Sequence, residues 1–582
     1  MAERKELSDQ ARAVIFVVLV VLITFAWLRV YKPPAPAPQK PTQPTALSSG
    51  SAQPGPASLS ATPKPVAVHA AQASAERIVA IESPLYHIEL WNRGGVVRSW
   101  TLKKYFDDQK PPRPLDLVNA NASPELGWPF SIQLSDSQLE SDANSGLYEV
   151  AASGSQPGAG QSATAAGADT FTAPVTVTFH WSNGRLEVTK KLSFTPDYQL
   201  TAEVSATLDG KPLECGIAWR GGFGDVAAYR ESQLVNVFYQ QGGSLSTIKY
   251  NKLGVSGNQT QPFQQPGAME FAGIEDQFFT AAFIPNGTDL YLSHWTQWHH
   301  FTEDNQPKSE QFAEMAVGSA APGPVKLRAL IGPKDLALLS RMQPSLEGLV
   351  QFGWTGVIAK PMLFVLQWLH RYVANYGWDI VVFTLLLTMA LAPIRIWTFR
   401  SMRKMQVVAP EMKAIQERYK KYSMTDPRRS KMQEEMMALY AKHGLSPFSQ
   451  LTGCLPMLLQ IPFLWAFYRM LAGAIELRHA PWIFWIHDLS AKDPYYILPI
   501  AMAITMYFTT KMMPTSAAVD PAQQKMMTFT SLAFAFIFFQ LSSGLNLYYF
   551  TSNLVSVGQQ YYLNRSQPPP TRSKFKNKNK QQ

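Results

Sequence analysis

Two hydrophobic rhythms divide the chain. From Ile78 to about residue 335, apolar residues alternate with polar ones or stand in short β-branched runs. Examples are Ile78-Val79-Ala80-Ile81, Tyr86-His87-Ile88-Glu89-Leu90 and Val175-Thr176-Val177-Thr178-Phe179. Alternation sends successive side chains to opposite faces of a sheet, so the pattern predicts strands. Ser182-Asn183-Gly184 separates two such runs, 175–181 and 185–194, and Asn-Gly tolerates the positive φ of a tight hairpin. Helical periodicity is nearly absent before about residue 334. Residues 78–343 are therefore expected to be one all-β sandwich, with 151–169 as a loop insertion.

After residue 344 the rhythm lengthens. Apolar runs occupy 380–392, 451–468, 495–510, 526–541 and 545–563, and several are flanked by Trp or Tyr as spans with aromatic belts are. Their cores hold no Asp, Glu, Lys, Arg or His. A further run, 13–28, follows Arg4, Lys5 and Arg12 and precedes Arg29. No favourable cleavage site follows it, so residues 1–31 are expected to be an uncleaved signal anchor. The total is six transmembrane helices. Between the anchor and the strands, residues 32–77 carry ten prolines from Pro33 to Pro65. Such a segment buries too little apolar surface to offset its ordering entropy and serves as a tether.

Residues 344–376 are expected to hold a periplasmic interfacial helix. Met362, Val365, Leu366, Leu369 and Val373 share one helical face, while Lys360, Gln367, His370 and Arg371 lie elsewhere. Charge supports leaving it out of the span count. Residues 395–450 hold twelve Lys/Arg against five Asp/Glu, and the tail 564–582 holds six Lys/Arg and no acid. Six spans put every basic segment on the side of the N-terminus, as the positive-inside rule requires. Both termini are then cytoplasmic, the β domain is periplasmic, and 377–563 form a five-helix core.

Composition adds exclusions. The mean hydropathy of −0.10 averages a polar half with a membrane half. Two cysteines, Cys215 and Cys454, exclude a disulfide framework and a Cys-built metal site. The net charge of +10 resides in segments that flank the spans.

Uncharged polar residues recur inside the spans at helical spacing. Thr384 and Thr388 are i,i+4 on one; Thr505 and Thr509 are i,i+4 on another. Gln460 lies between Pro456 and Pro462, while Asn546, Tyr549 and Asn553 stand at i, i+3 and i+7. Such groups either hydrogen-bond helices together or line a hydrophilic groove that water can follow into the bundle. The spacing admits both readings.

Several stretches resemble the YidC-type membrane protein insertases, in the Gram-negative form with a large periplasmic domain. The most specific runs from Glu476-Leu477-Arg478 through Ala480-Pro481, Trp485-Ile486-His487-Asp488-Leu489-Ser490-Ala491 and Asp493-Pro494-Tyr495-Tyr496-Ile497-Leu498-Pro499. Others are Asn375-Tyr376-Gly377-Trp378, Gln433-Glu434-Glu435-Met436-Met437, Gly453-Cys454-Leu455-Pro456, and Ser543-Gly544-Leu545 with Leu547-Tyr548-Tyr549 and Ser552-Asn553-Leu554. The match is dense over 352–562 and loose over 78–335, where Asn92-Arg93-Gly94-Gly95 is the best local likeness.

The resemblance implies a polytopic α-helical protein of the bacterial inner membrane with a periplasmic β-supersandwich. It implies an insertase that accepts nascent hydrophobic segments in a hydrophilic groove and releases them laterally into the bilayer. The work is done alone or with the general secretion translocon, without ATP, cofactor, metal or small-molecule substrate. Thr384, Thr388, Gln460, Leu464, Met502, Asn546, Tyr549 and Asn553 become candidate groove contacts. One departure stands out. The family usually carries an arginine on the second span, where this chain has Thr388. Arg395, two turns on along the same face, is the candidate replacement at the groove mouth unless Pro393 disturbs the alignment.

Residues 399–443 predict a cytoplasmic α-hairpin, broken at Thr425-Asp426-Pro427. Met405, Met412, Met432 and Met436 are its candidate capture surface for hydrophobic segments, since methionine adapts to varied partners; packing of the hairpin is the alternative. In the basic tail, Arg572, Lys574, Lys576, Lys578 and Lys580 are candidate contacts to ribosomal RNA or to the lipid bilayer. Two other functions remain to be weighed. An ion-coupled transporter needs ionisable groups within its spans. A carbohydrate-binding or sugar-converting periplasmic domain needs a histidine and a carboxylate facing one pocket, with His180, His294, His299 and His300 as candidates.

Overall fold

Strand periodicity from Ile78 onward is realised as nineteen strands, the last being Val325–Pro333. The computed structural model describes residues 70–566 apart from 110, 156–168, 226–234, 254–261, 288, 304–305, 320, 420–421, 423–425, 444–454, 513–528 and 530–535. The anchor, the linker, the basic tail and most of 526–541 thus lie outside the described residues. Fourteen strands form one sheet and five another. Strand Ile78–Glu82 pairs in parallel with Asp169–Ser182, while neighbouring pairs run antiparallel. The sheets share one apolar core: Phe130, at the edge of the smaller sheet, meets Phe283 of the larger at 6.1 Å between ring centroids and Trp219 of its own at 6.4 Å.

The expected hairpin is present, with Val175 opposite Phe194 and Ser182 opposite Glu187. Gly184 adopts φ +91°. Asn183 Oδ1 accepts from the amides of Arg185 (3.0 Å) and Leu186 (2.9 Å), closing the turn through its side chain.

Two expectations are corrected. The insertion begins later than residue 151, because Glu149–Ser155 is a strand paired with Asp169–Ser182. A helix, Ser137–Ser145, interrupts the β region; Asp136 caps it by accepting from the amides of Gln138 and Leu139. Only Ala143 of that helix is buried, so it carries little apolar periodicity.

The Asn92-Arg93-Gly94-Gly95 stretch is fixed from below by Lys190. Its ammonium is buried, donates to the carbonyls of Gly94 (2.7 Å), Gly95 (3.1 Å) and Phe130 (2.8 Å), and lies 5.5 Å from the Tyr148 ring. Burial pushes its pKa down to about 7. Replacing Lys190 by methionine orphans three buried carbonyls. The domain is expected to lose about 3 kcal/mol, read as a lower denaturation midpoint; an unchanged midpoint would show that these bonds do not support the fold.

The interfacial helix is Gly356–Val373. Met362, Leu366 and Leu369 of the expected face are buried, whereas Val365 and Val373 are only half-buried. A second apolar stripe, Phe364, Trp368 and Tyr372 at i, i+4 and i+8, faces outward. Among the described residues five further α-helices follow: Tyr376–Tyr419, Arg428–Lys442, Leu455–Gly473, Ile497–Met512 and Ser543–Ser566. Among the described residues one stretch, Tyr376–Lys404 at 29 residues, is long and apolar enough to cross a membrane. Pro393 does not break it, and the helix runs on through Pro410.

The hairpin is a unit of its own, formed by the end of Tyr376–Tyr419 and by Arg428–Lys442. Val408, Met412, Ile415, Leu439 and Tyr440 make its core, with Tyr419, Met432 and Met436 packed against them.

Candidate functional site

The polar face of the long helix is built from i,i+4 steps. Thr384 and Thr388 are buried, and each hydroxyl donates to a carbonyl one turn back: Thr384 to Ile380 (2.6 Å), Thr388 to Thr384. Thr505 and Thr509 do the same on Ile497–Met512, to Met502 (2.9 Å) and Thr505 (2.8 Å). In apolar surroundings this satisfies each hydroxyl within its own helix.

Because the helix continues through Pro393, Arg395 stands two turns beyond Thr388 on nearly the same face. Its guanidinium, half-buried, donates from Nη1 to the Ser556 hydroxyl on the last helix. Ser556 Oγ donates in turn to the Ser552 carbonyl (2.6 Å). Asn553 beside it is buried, and its Nδ2 has no hydrogen-bond partner among the described residues. The structure thus joins the Arg395 face of the long helix to the Ser552, Asn553 and Ser556 face of the last. Arg403 extends the link one level on, donating to Asn564 Oδ1 at 2.9 Å.

The other candidates divide. Tyr549 is half-buried and lies 4.7 Å from the Phe538 ring. Leu464 is half-buried, and Met502 is fully buried in the apolar core. Gln460 lies in Leu455–Gly473, but its side chain is outside the described residues. Asn546 is corrected. It is wholly buried, and its Nδ2 donates to the carbonyls of Phe538 (3.1 Å) and Leu541 (3.3 Å). It pins the preceding 3-10 turn, Phe538–Gln540, onto the start of the last helix and does not line a groove.

The capture surface is also corrected. Met412 is 3% exposed, and Met432 and Met436 pack on the hairpin's own core. The Met405 side chain lies outside the described residues. Among the described residues of this hairpin, Met437, at 55% exposure, is the methionine that faces outward.

Sequence reasoning missed Asp379. It is wholly buried at the start of the long helix and accepts from His370 Nδ1 at 2.7 Å, and that imidazole stacks on Tyr376 at 3.7 Å. Its neighbours His370, Tyr376 and Gly377 were the available signal. Gly377 leaves room for Trp482, whose ring carbons would lie 2.2–2.6 Å from any added Cβ. The 474–496 loop owes its shape to such contacts. Asp493 accepts from the amides of Tyr495 (3.0 Å) and Leu498 (2.7 Å) and so caps Ile497–Met512.

That loop also meets the β domain. Arg478 and Asp225 form a pair in which both side chains are nearly inaccessible, 6% and 5% exposed, with the guanidinium 5.4 Å from the Phe279 ring. Gln277 donates to the Ala472 carbonyl at 3.0 Å.

Within the β domain the four candidate histidines do not share one site: His180 lies in the larger sheet, with Nε2 3.8 Å from Glu187, and the other three lie in the smaller sheet with separate partners. His299 Nδ1 meets Glu125 (2.6 Å), and His300 Nδ1 meets Ser309 (2.7 Å). His294 is buried beside the Phe263 ring at 5.3 Å, and burial lowers its pKa. His180 Nδ1 reaches Thr189 at 3.2 Å. Glu314 is buried, and both its oxygens accept, from the Gly221 amide (2.9 Å) and from Trp295 Nε1 (2.6 Å). Burial still pushes it up to about 7.

Known proteins supply the remaining evidence. Residues 78–365 match the YidC periplasmic domain model and residues 368–570 the 60Kd inner membrane protein model. The membrane protein insertase YidC of Wolinella succinogenes is 36% identical over 399 residues, covering 68% of this chain and 67% of that one. That of Burkholderia multivorans is 30% identical over 572 residues, covering 95% and 97%. A solved structure of an active YidC insertase with its first transmembrane domain resolved aligns at 16% identity over 85% of this chain and 95% of that chain, with a TM-score of 0.33. The chain belongs to the YidC family of membrane protein insertases, inner-membrane proteins with a β-rich periplasmic domain.

Proposed function

We propose that this insertase receives nascent hydrophobic segments along the polar face carried by Thr384, Thr388, Arg395, Asn553 and Ser556, and releases them sideways into the bilayer. The observation that carries this reading is the bond between Arg395 and Ser556, which sets a cation between the long helix and the last one. A guanidinium always keeps its charge. Lodged in low-dielectric surroundings beside hydroxyls and an amide, it favours a polar or acidic flank that has to travel part-way into lipid. Tyr549 and Leu464, both half-buried, would border this path; Gln460 is assigned to it from the sequence.

Six spans with both termini cytoplasmic remain the topology that agrees with the charge bias of 395–450 and 564–582. Under it the β domain is periplasmic, the hairpin faces the ribosome, and the basic tail meets ribosomal RNA or anionic headgroups. Delivery from the general secretion translocon fits the same arrangement. The candidate histidines of the β domain are dispersed over two sheets with separate partners, which does not support a single sugar-converting pocket.

Complementation of an insertase-depleted bacterium tests the reading. The full chain is expected to restore growth, and a chain lacking 405–440 is expected to fail while still accumulating in the membrane. Growth supported equally by the deletion would remove the hairpin from the mechanism. A Met437→Asp variant is expected to impair insertion without unfolding the hairpin, whereas Met412→Asp should unfold it, read by proteolysis.

A further inference from the structure

Asp108, in the turn after Val96–Phe106, meets His479 and Asp488, which share the loop that follows Ile475–Leu477. His479 Nε2 lies 2.7 Å from Asp108 Oδ1 and 3.9 Å from Asp488 Oδ2. The three ligand atoms all fall within 4.8 Å of one another, the one such group among the described residues. Asp488 is held in place from behind: its Oδ1 accepts from the Ser490 amide (2.7 Å), the Ser490 hydroxyl (2.7 Å) and the Ala491 amide (3.3 Å). That leaves Oδ2 turned toward the imidazole. The backbone bond from Leu489 N to Ala480 O (3.1 Å) closes the loop that brings Asp488 and His479 together.

We propose that these three side chains form a site for a divalent first-row transition ion of the zinc type, which staples the β domain to the helical core. One imidazole with two carboxylates is a borderline-soft donor set that suits zinc better than calcium or magnesium. Two carboxylates against one imidazole leave net negative charge that a divalent cation balances. At metal–ligand distances of about 2.0–2.2 Å, the Nε2–Oδ1 contact must open by roughly half an ångström and the Nε2–Oδ2 contact must close by a similar amount. The Asp108 turn is exposed and can move, while Asp488 is fixed by its three donors. The exposed side leaves a position for water. Neighbouring Arg478 does not repel the ion strongly, because its guanidinium is neutralised by Asp225.

The test uses the full chain in nanodiscs, purified through a tag without histidine, stripped with chelator and titrated with zinc chloride alone. The wild type is expected to bind one zinc ion per chain and to denature at a higher temperature in its presence. His479→Gln keeps a polar side chain at the same place and is expected to lose both the binding and the temperature shift. Asp108→Asn, on an exposed turn that tolerates change, is expected to do likewise and serves if the first variant misfolds. No stoichiometric zinc binding by the wild type, or equal binding by either variant, overturns the proposal. The readout is independent of insertion, so its failure leaves the proposed function untouched.

Discussion

Insertion of a substrate with an acidic flank is expected to fall about tenfold or more in an Arg395→Ala variant. Hydrogen bonds to charged groups contribute about 1.5–3 kcal/mol, equivalent to roughly ten- to hundredfold. A neutral-flanked substrate should be affected far less, because it gains nothing from the cation. The geometry makes the comparison clean. Arg395 reaches Ser556 by a side-chain bond, and the hydroxyl keeps its own bond to the Ser552 carbonyl after the guanidinium is removed. The variant therefore loses a charge without orphaning a buried serine. Thr388→Arg in the Arg395→Ala background is expected to return insertion of acidic-flanked substrates, since Thr388 lies on the same face two turns away. Reconstituted vesicles with protease protection of the translocated flank provide the measurement. Equal insertion of acidic substrates by wild type and Arg395→Ala would sink the role assigned to the cation.

The second large effect is structural. Removing one partner of a buried ion pair strands the other, at a cost of about 3–5 kcal/mol. Arg478→Ala leaves Asp225 with its carboxylate in a closed environment and is expected to loosen the 474–496 loop from the β domain. Thermal denaturation of the full chain and proteolysis within that loop read the change. A double Arg478→Met, Asp225→Leu variant should recover most of the loss, because it removes both buried charges together. A single variant as stable as the wild type would show that the contact does not hold the loop.

The sequence made the β domain legible because its cue is local. Asn183 and Gly184 specify the turn between two alternating runs without help from elsewhere. Helix Ser137–Ser145 escaped notice for the opposite reason: it buries a single alanine, so its periodicity carries no signal beyond the Asp136 cap. In the hairpin, spacing placed Met412, Met432 and Met436 on apolar faces. Spacing does not say what covers an apolar face, and Met412, Met432 and Met436 turned out to cover one another. Asn546 was grouped with Tyr549 and Asn553 by helical spacing, yet the turn at Phe538–Gln540 folds over it and takes its amide. The Asp108–His479 contact depends on chain segments that no local pattern connects, whereas Asp379 meets His370 across the short turn between two neighbouring helices.

Under the proposed function, the back-bonded threonines would give the substrate path an adjustable polarity. Each hydroxyl of Thr384, Thr388, Thr505 and Thr509 rests on a carbonyl of its own helix. A rotation about χ1, for which threonine has two accessible helical rotamers, transfers that donor to a passing guest. The abandoned carbonyl retains its ordinary helical amide, so nothing in the backbone is left unsatisfied. To a hydrophobic segment the same wall shows methyl groups, and to a polar flank it shows hydroxyls. A wall of this kind has no preference to overcome when the guest departs, which suits a protein whose product is always let go.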